Sequence, residues 1–93
     1  MVDKILDKTG MKGTGTWTVR EAANRAVAAP TIAAALDARY MSGHKDERKA
    51  ASKVLNGPTD LPNVDKDQLT EDVKDALYCA KICCYAQGMN IIK

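Results

Sequence analysis

Behind an Asp65/Gln68 N-cap pattern, apolar side chains recur at helical spacing at Leu69, Val73, Ala76, Leu77, Ala80, Cys84 and Ile91. The spacing predicts one long amphipathic helix from about Lys66 past Gln87. A helix with an apolar stripe has to bury it, so the chain is committed to helix-on-helix packing. The stripe reaches Ile91-Ile92-Lys93 without a stop signal, and the expectation is a helix that continues and a C-terminus that is a truncation. With no Phe, one Trp and three Tyr, few large side chains are on hand to fill a core. Stability is therefore expected to depend on surfaces contributed by partners.

The first half reads as a helical pair opened by a glycine loop. Thr18 with Glu21 makes a capping-box pattern, which places a helix start at about Val19. Pro30 interrupts that stretch, and Thr31 caps a second helix from Ile32 to about Met41, ending before Ser42-Gly43. Two helices of similar length joined this closely pack antiparallel, with Ile32, Ala35 and Leu36 marking the buried stripe. Arg39 then returns beside Lys12-Gly13-Thr14-Gly15-Thr16-Trp17-Thr18. Glycines 13 and 15 let backbone N–H groups approach a ligand, and a helix start adds its positive dipole end. Lys12, Thr14 and Arg39 can converge on one anion; a plain tight turn and a cation compensating a helix dipole are the alternatives.

The remaining segments carry little chemistry. Ser42 or His44 introduces a helix from about Lys45 to Leu55, stopped by Asn56-Gly57-Pro58, and Thr59 to Val64 reads as a loop. Lys45-Asp46-Glu47-Arg48 reads as a solvated first turn, His44 as a surface or capping residue, and Trp17 and Tyr40 as packing the ends of the helical pair. Cys79, Cys83 and Cys84 lack Cys-x-x-Cys spacing, and the lone His44 lies in another element, so they read as small buried apolar residues with reduced thiols and no metal. Lys and Arg total 14 against 12 acidic residues, with the signs interspersed, which argues against a nucleic-acid or membrane-surface field. No apolar run approaches a membrane span of about 20 residues.

Asp7 through Thr18, Val27 through Ala34, Lys45-Asp46-Glu47-Arg48, and Ala76 through Ile82 with Tyr85-Ala86-Gln87-Gly88 together closely resemble the first half of the C-terminal helical domain of 6-phosphogluconate dehydrogenase, in a plant or algal flavour. The resemblance implies an all-α fold of antiparallel helices, with residues 1–93 as part of that substrate-binding domain. The family oxidises 6-phosphogluconate with NADP and decarboxylates it to ribulose 5-phosphate and CO2, in the pentose phosphate pathway. It implies that Lys12, Thr14 and Arg39 hold the substrate phosphate, that the full enzyme is a homodimer through this domain, and that it works in cytoplasm or plastid. One departure is Thr16, where the family usually carries a second lysine.

The family's strand–glycine-loop–helix dinucleotide fingerprint has no counterpart in these 93 residues, since no apolar β-run precedes Gly13 and no third glycine follows. Its lysine base, glutamate acid and Ser-Gly-Gly loop lie upstream in the full enzyme, and the arginine and histidine completing the phosphate site come from the other subunit. No catalytic residue is assigned here. The two readings to weigh are the phosphate-holding segment of an NADP-dependent oxidative decarboxylase and a catalytically inert helical module that binds an anion or a partner helix.

Overall fold

The computed structural model describes residues 1–10, 12–59 and 63–93. Among them, after a short 3-10 turn at Val2–Lys4, are four α-helices and no strand: α1 (Thr14–Asn24), α2 (Pro30–Gly43), α3 (Lys45–Ala51) and α4 (Lys66–Ile92). The all-α expectation holds, and several boundaries move for identifiable reasons.

Helix α1 starts one turn earlier than the capping-box pattern predicts. Gly13 adopts φ 99°, a left-handed turn open to glycine, and its carbonyl accepts from the Trp17 N–H at 3.1 Å. Thr18 thus lies inside the helix, where its Oγ1 donates to the Thr14 carbonyl at 3.0 Å, and Glu21 accepts from Arg25 Nε instead of capping. The helix ends at Asn24 rather than at Pro30. Ala26 takes φ 54° while Val27 N donates to Ala22 O at 2.8 Å and Ala26 N to Ala23 O at 3.1 Å, a Schellman-type stop with alanine in glycine's usual place.

Pro30 opens α2 rather than interrupting a helix, because at the first helical position its missing N–H has no intrahelical partner to lose. Nor is Thr31 the cap. Gln87, far off on α4, accepts from the Thr31 and Ile32 N–H groups at 3.0 and 3.3 Å and donates through Nε2 to Thr31 Oγ1 at 2.8 Å. Helix α3 stops at Ala51, four residues short of Leu55, as Ser52 to Leu55 tighten into turns. No side chain caps it; His44 is exposed and its Nδ1 meets Glu47 Oε1 at 3.0 Å. Of the loop expected from Thr59 to Val64, residues 60–62 lie outside the described residues. Asp65 caps α4 as read, accepting from Asp67 N at 2.9 Å and Gln68 N at 3.2 Å.

Packing is antiparallel between α1 and α2: the residues that open α1 meet Leu36 and Arg39, and the end of α1 meets Pro30 and Ala33. Gly15 eases this approach, because a Cβ there would sit 3.0 Å from Leu36 Cδ1, tighter than ordinary contact. Helix α2 packs in turn on α4. The described buried apolar residues are only Ala22, Leu36 and Ile91; Ala35 of the expected stripe is exposed, as is Trp17 at 65%. Tyr40 is partly buried, its hydroxyl 3.0 Å from Thr16 Oγ1.

The result is an open arrangement. The radius of gyration is 16.8 Å, against about 12 Å for a compact chain of this length. The accessible area is 8314 Å², where a folded monomer of this mass exposes about 5,300 Å². On α4, Leu69, Val73 and Leu77 of the long apolar face stand in solvent, as does Ile82 on another side of the helix. Cys79 is exposed and Cys83 and Cys84 are half-buried, all three free, so the expected burial of the thiols is not met here.

Candidate functional site

Lys12, Gly13, Thr14, Gly15, Leu36 and Arg39 line one cavity of about 230 Å³ where α1 begins. The three residues expected to meet an anion are therefore brought to one place. Each arrives by a separate route. The left-handed Gly13 turns the chain into α1, so Lys12 sits just outside the helix and Thr14 in its first turn. Leu36, packed over Gly15, forms the apolar floor. Arg39 lies one helical turn beyond Leu36 and close to the C-terminal end of α2, which the antiparallel pairing returns to this side.

The local charge is one-signed. Among the described residues the lining holds an ammonium and a guanidinium with no carboxylate, and the first turn of a helix presents N–H groups with no intrahelical acceptor. Lys12, Thr14 and Arg39 are all exposed, so a ligand from solvent reaches them without an opening step. Arg39 is already partly engaged: Nη2 donates to Gly10 O, and its own carbonyl accepts from Thr9 Oγ1 at 2.9 Å. A guanidinium carries five N–H donors, so most of its fork remains for a ligand.

Asp7, Arg48 and Gln87 matter to this geometry, and their residue chemistry gave no sign of it. Arg48, expected as part of a solvated turn, is half-buried; it donates from Nη1 to Asp7 Oδ2 at 3.1 Å and from Nη2 to Asp7 O at 2.8 Å and Ser42 O at 3.0 Å. Its hydrogen bond and then its charge hold the Asp7 carboxyl below the ordinary value, with Lys45 adding to the effect. Lys45 Nζ also donates to Leu6 O. Partners 41 and 39 positions apart have no periodicity to betray them. The one available sign was that Asp7, Lys45, Arg48 and Gln87 all fall within the segments that carry the family resemblance.

Elsewhere, the proximity of Cys79, helped by partial burial, pushes the Cys83 thiol above its ordinary value, the opposite of what an activated nucleophile needs. Among the described residues no group of His, Cys, Asp or Glu could hold a metal ion, and no helix is long and apolar enough to cross a membrane. Among the described residues no strand precedes Gly13, so the glycine turn there is not the strand–loop–helix arrangement of a dinucleotide fingerprint.

Comparison with known proteins matches residues 1–93 to the family described as 6-phosphogluconate dehydrogenase, C-terminal domain. The whole chain is 66% identical to 6-phosphogluconate dehydrogenase, decarboxylating 1, of Oryza sativa subsp. japonica over 95 residues. It is 58% identical to the decarboxylating 1, chloroplastic, enzyme of Arabidopsis thaliana over 100 residues, and 99% of it is 52% identical to the decarboxylating enzyme of Synechococcus elongatus over 93. In each case the chain spans 20% of the relative's length.

Proposed function

The chain belongs to the 6-phosphogluconate dehydrogenase family, and from that premise we propose that it supplies the substrate-phosphate contacts of an NADP-dependent enzyme that oxidises 6-phosphogluconate and decarboxylates it to ribulose 5-phosphate and CO2. The observation that carries the proposal is the meeting of Lys12, Thr14 and Arg39 in one cavity at the start of α1. A phosphate dianion seated there accepts from the Lys12 ammonium, the Thr14 hydroxyl, the Arg39 fork and the first-turn N–H groups. Each well-made charge-assisted hydrogen bond contributes about 1.5–3 kcal/mol. With Thr16 in place of a second lysine the positive field is weaker, but none of these contacts is removed.

The binding is a positioning device. Holding the phosphate end leaves the rest of a sugar acid free to be presented to reacting groups, which turns recognition of a remote anion into orientation at the reacting carbon. No chemical step is assigned to this chain's residues; NADP supplies the hydride acceptor when bound elsewhere in the enzyme. The exposed apolar face of α4 supports a homodimer in which a second subunit covers it. Relatives named chloroplastic stand beside others that are not, so cytoplasm and plastid are both proposed settings.

Titrating inorganic phosphate into the labelled chain tests the proposal. The amides of Gly13 to Thr18 and the Arg39 side chain should shift together, weakly, and Arg39→Lys should weaken binding further because an ammonium cannot hold two phosphate oxygens in a plane. Equal binding by Arg39→Lys, or shifts confined to other residues, rejects the cradle.

A further inference from the structure

The strap of residues 6–10, which runs along the ends of α2 and α3 before reaching Lys12, is fastened more firmly than an exposed segment without regular structure requires. Leu6 O accepts from Lys45, Asp7 accepts twice from Arg48, Thr9 donates to the Arg39 carbonyl, and Gly10 O accepts from Arg39. Lys12 makes no ion pair among the described residues and stands outside α1, so its placement depends on what holds its neighbours. It follows Gly10 by two residues, and an extended chain spans at most about 3.6 Å per residue, so fixing Gly10 confines the Lys12 Cα to within about 7 Å of it.

We propose that Arg48 is a positioning residue, which through Asp7 holds the strap that places Lys12 at the anion cavity. One guanidinium bridges both halves of the site: Nη2 donates to Ser42 O, at the end of the helix carrying Arg39, and to Asp7 O, in the segment that leads to Lys12. Arg48 Nε is buried with no partner among the described residues, so the hydrogen bonds of this side chain run through Nη1 and Nη2. Asp7 sits at φ 54°, a left-handed bend that persists where its surroundings enforce it. The fastening by Arg39 shares one guanidinium with the cavity it lines. The fastening by Arg48 draws on a group outside the lining, and so it holds the strap independently of any ligand.

The inference rests on the phosphate reading for its purpose, and the test separates the two. The full chain is compared with Arg48→Ala, Arg48→Lys and Asp7→Asn, the last keeping a residue that tolerates the left-handed bend. Backbone order parameters report the strap, protection of Ala22 and Leu36 reports the helical pair, and inorganic phosphate is the titrant. In Arg48→Ala, order at Lys12 and Gly13 should fall from about 0.85 to below 0.6. Phosphate binding should weaken about tenfold, the equivalent of ordering one backbone residue afresh. Ala22 and Leu36 should keep their protection, Asp7→Asn should show a smaller effect of the same kind, and Arg48→Lys should recover part of both losses. Unchanged order at Lys12 in Arg48→Ala overturns the proposal. So does loss of Ala22 and Leu36 protection in step with it, which would make Arg48 merely structural. A parent chain indifferent to phosphate, with Lys12 loosened in Arg48→Ala, rejects the phosphate reading and supports the latch.

Discussion

Replacing Gln87 with leucine isolates a cap delivered across the fold. Gln87 serves two first-turn N–H groups of α2 and one hydroxyl, all partly buried, at 2.8 to 3.3 Å. Leucine has a similar volume and an equal or better helix propensity, so α4 itself should be unharmed. What is lost is a side-chain cap, about 0.5–2 kcal/mol, with the upper part of that range favoured because two donors lose one acceptor. For a chain of this size about 1 kcal/mol corresponds to roughly 4–8 °C in melting temperature. Urea unfolding of Gln87→Leu should therefore show a clear loss, with faster amide exchange at Thr31 and Ile32. Gln68→Leu is the control, because the Gln68 amide donates to Asp72 on the exposed face of the same helix; its effect should stay within about 0.5 kcal/mol. If Gln87→Leu is as mild as the control, or Thr31 and Ile32 exchange at parental rates, the cross-fold cap has no energetic weight and the reasoning fails.

Gly13→Ala forces a side chain into the left-handed region at φ 99° and should cost about 1–2 kcal/mol while dulling the phosphate response of residues 13–18; parental stability by urea unfolding would refute it. Asp7 is a depressed carboxyl, so its pairing with Arg48 contributes stability above the unfolded value of 3.8 and loses it as pH falls through the lower folded value. Arg48 side-chain resonances should accordingly hold steady from neutral pH down to the ordinary carboxylate range and move only below it, and a transition between about pH 5 and 7 would count against the pair. The uncovered α4 face, with Leu77 63% exposed, should drive self-association measurable by sedimentation; a strictly monomeric chain with strong global protection would contradict the open packing described here.

Local signals in the sequence were legible where local physics decides. Asp65 with Gln68 marked the start of α4 because an Asx cap and the N–H groups that donate to it lie within three residues, and the 3.6-residue stripe announced the helix itself. The meeting of Lys12, Thr14 and Arg39 followed from two short helices and a tight connection. Boundaries that depend on one unusual backbone angle were misplaced: φ 99° at Gly13 moved the start of α1, and φ 54° at Ala26 ended it well before Pro30. Contacts across long sequence separations were invisible. Nothing in the spacing of Gln87 and Thr31, or of Arg48 and Asp7, tells that the fold will join them. The exposure of Trp17, Ala35 and Cys79 was misjudged for a related reason, since apolar character says that a side chain favours burial but not whether a neighbouring surface is there to provide it.

If the cavity at the start of α1 recognises the phosphate end of a sugar acid, it must distinguish 6-phosphogluconate from gluconate. The two share their carbon chain and carboxylate and differ in the phosphate. Titrated separately into the labelled chain, 6-phosphogluconate should shift the Gly13 to Thr18 amides and the Arg39 side chain, and gluconate at the same concentrations should leave them in place. Equal shifts from gluconate, or a 6-phosphogluconate response that spares Lys12, Thr14 and Arg39, would contradict the account.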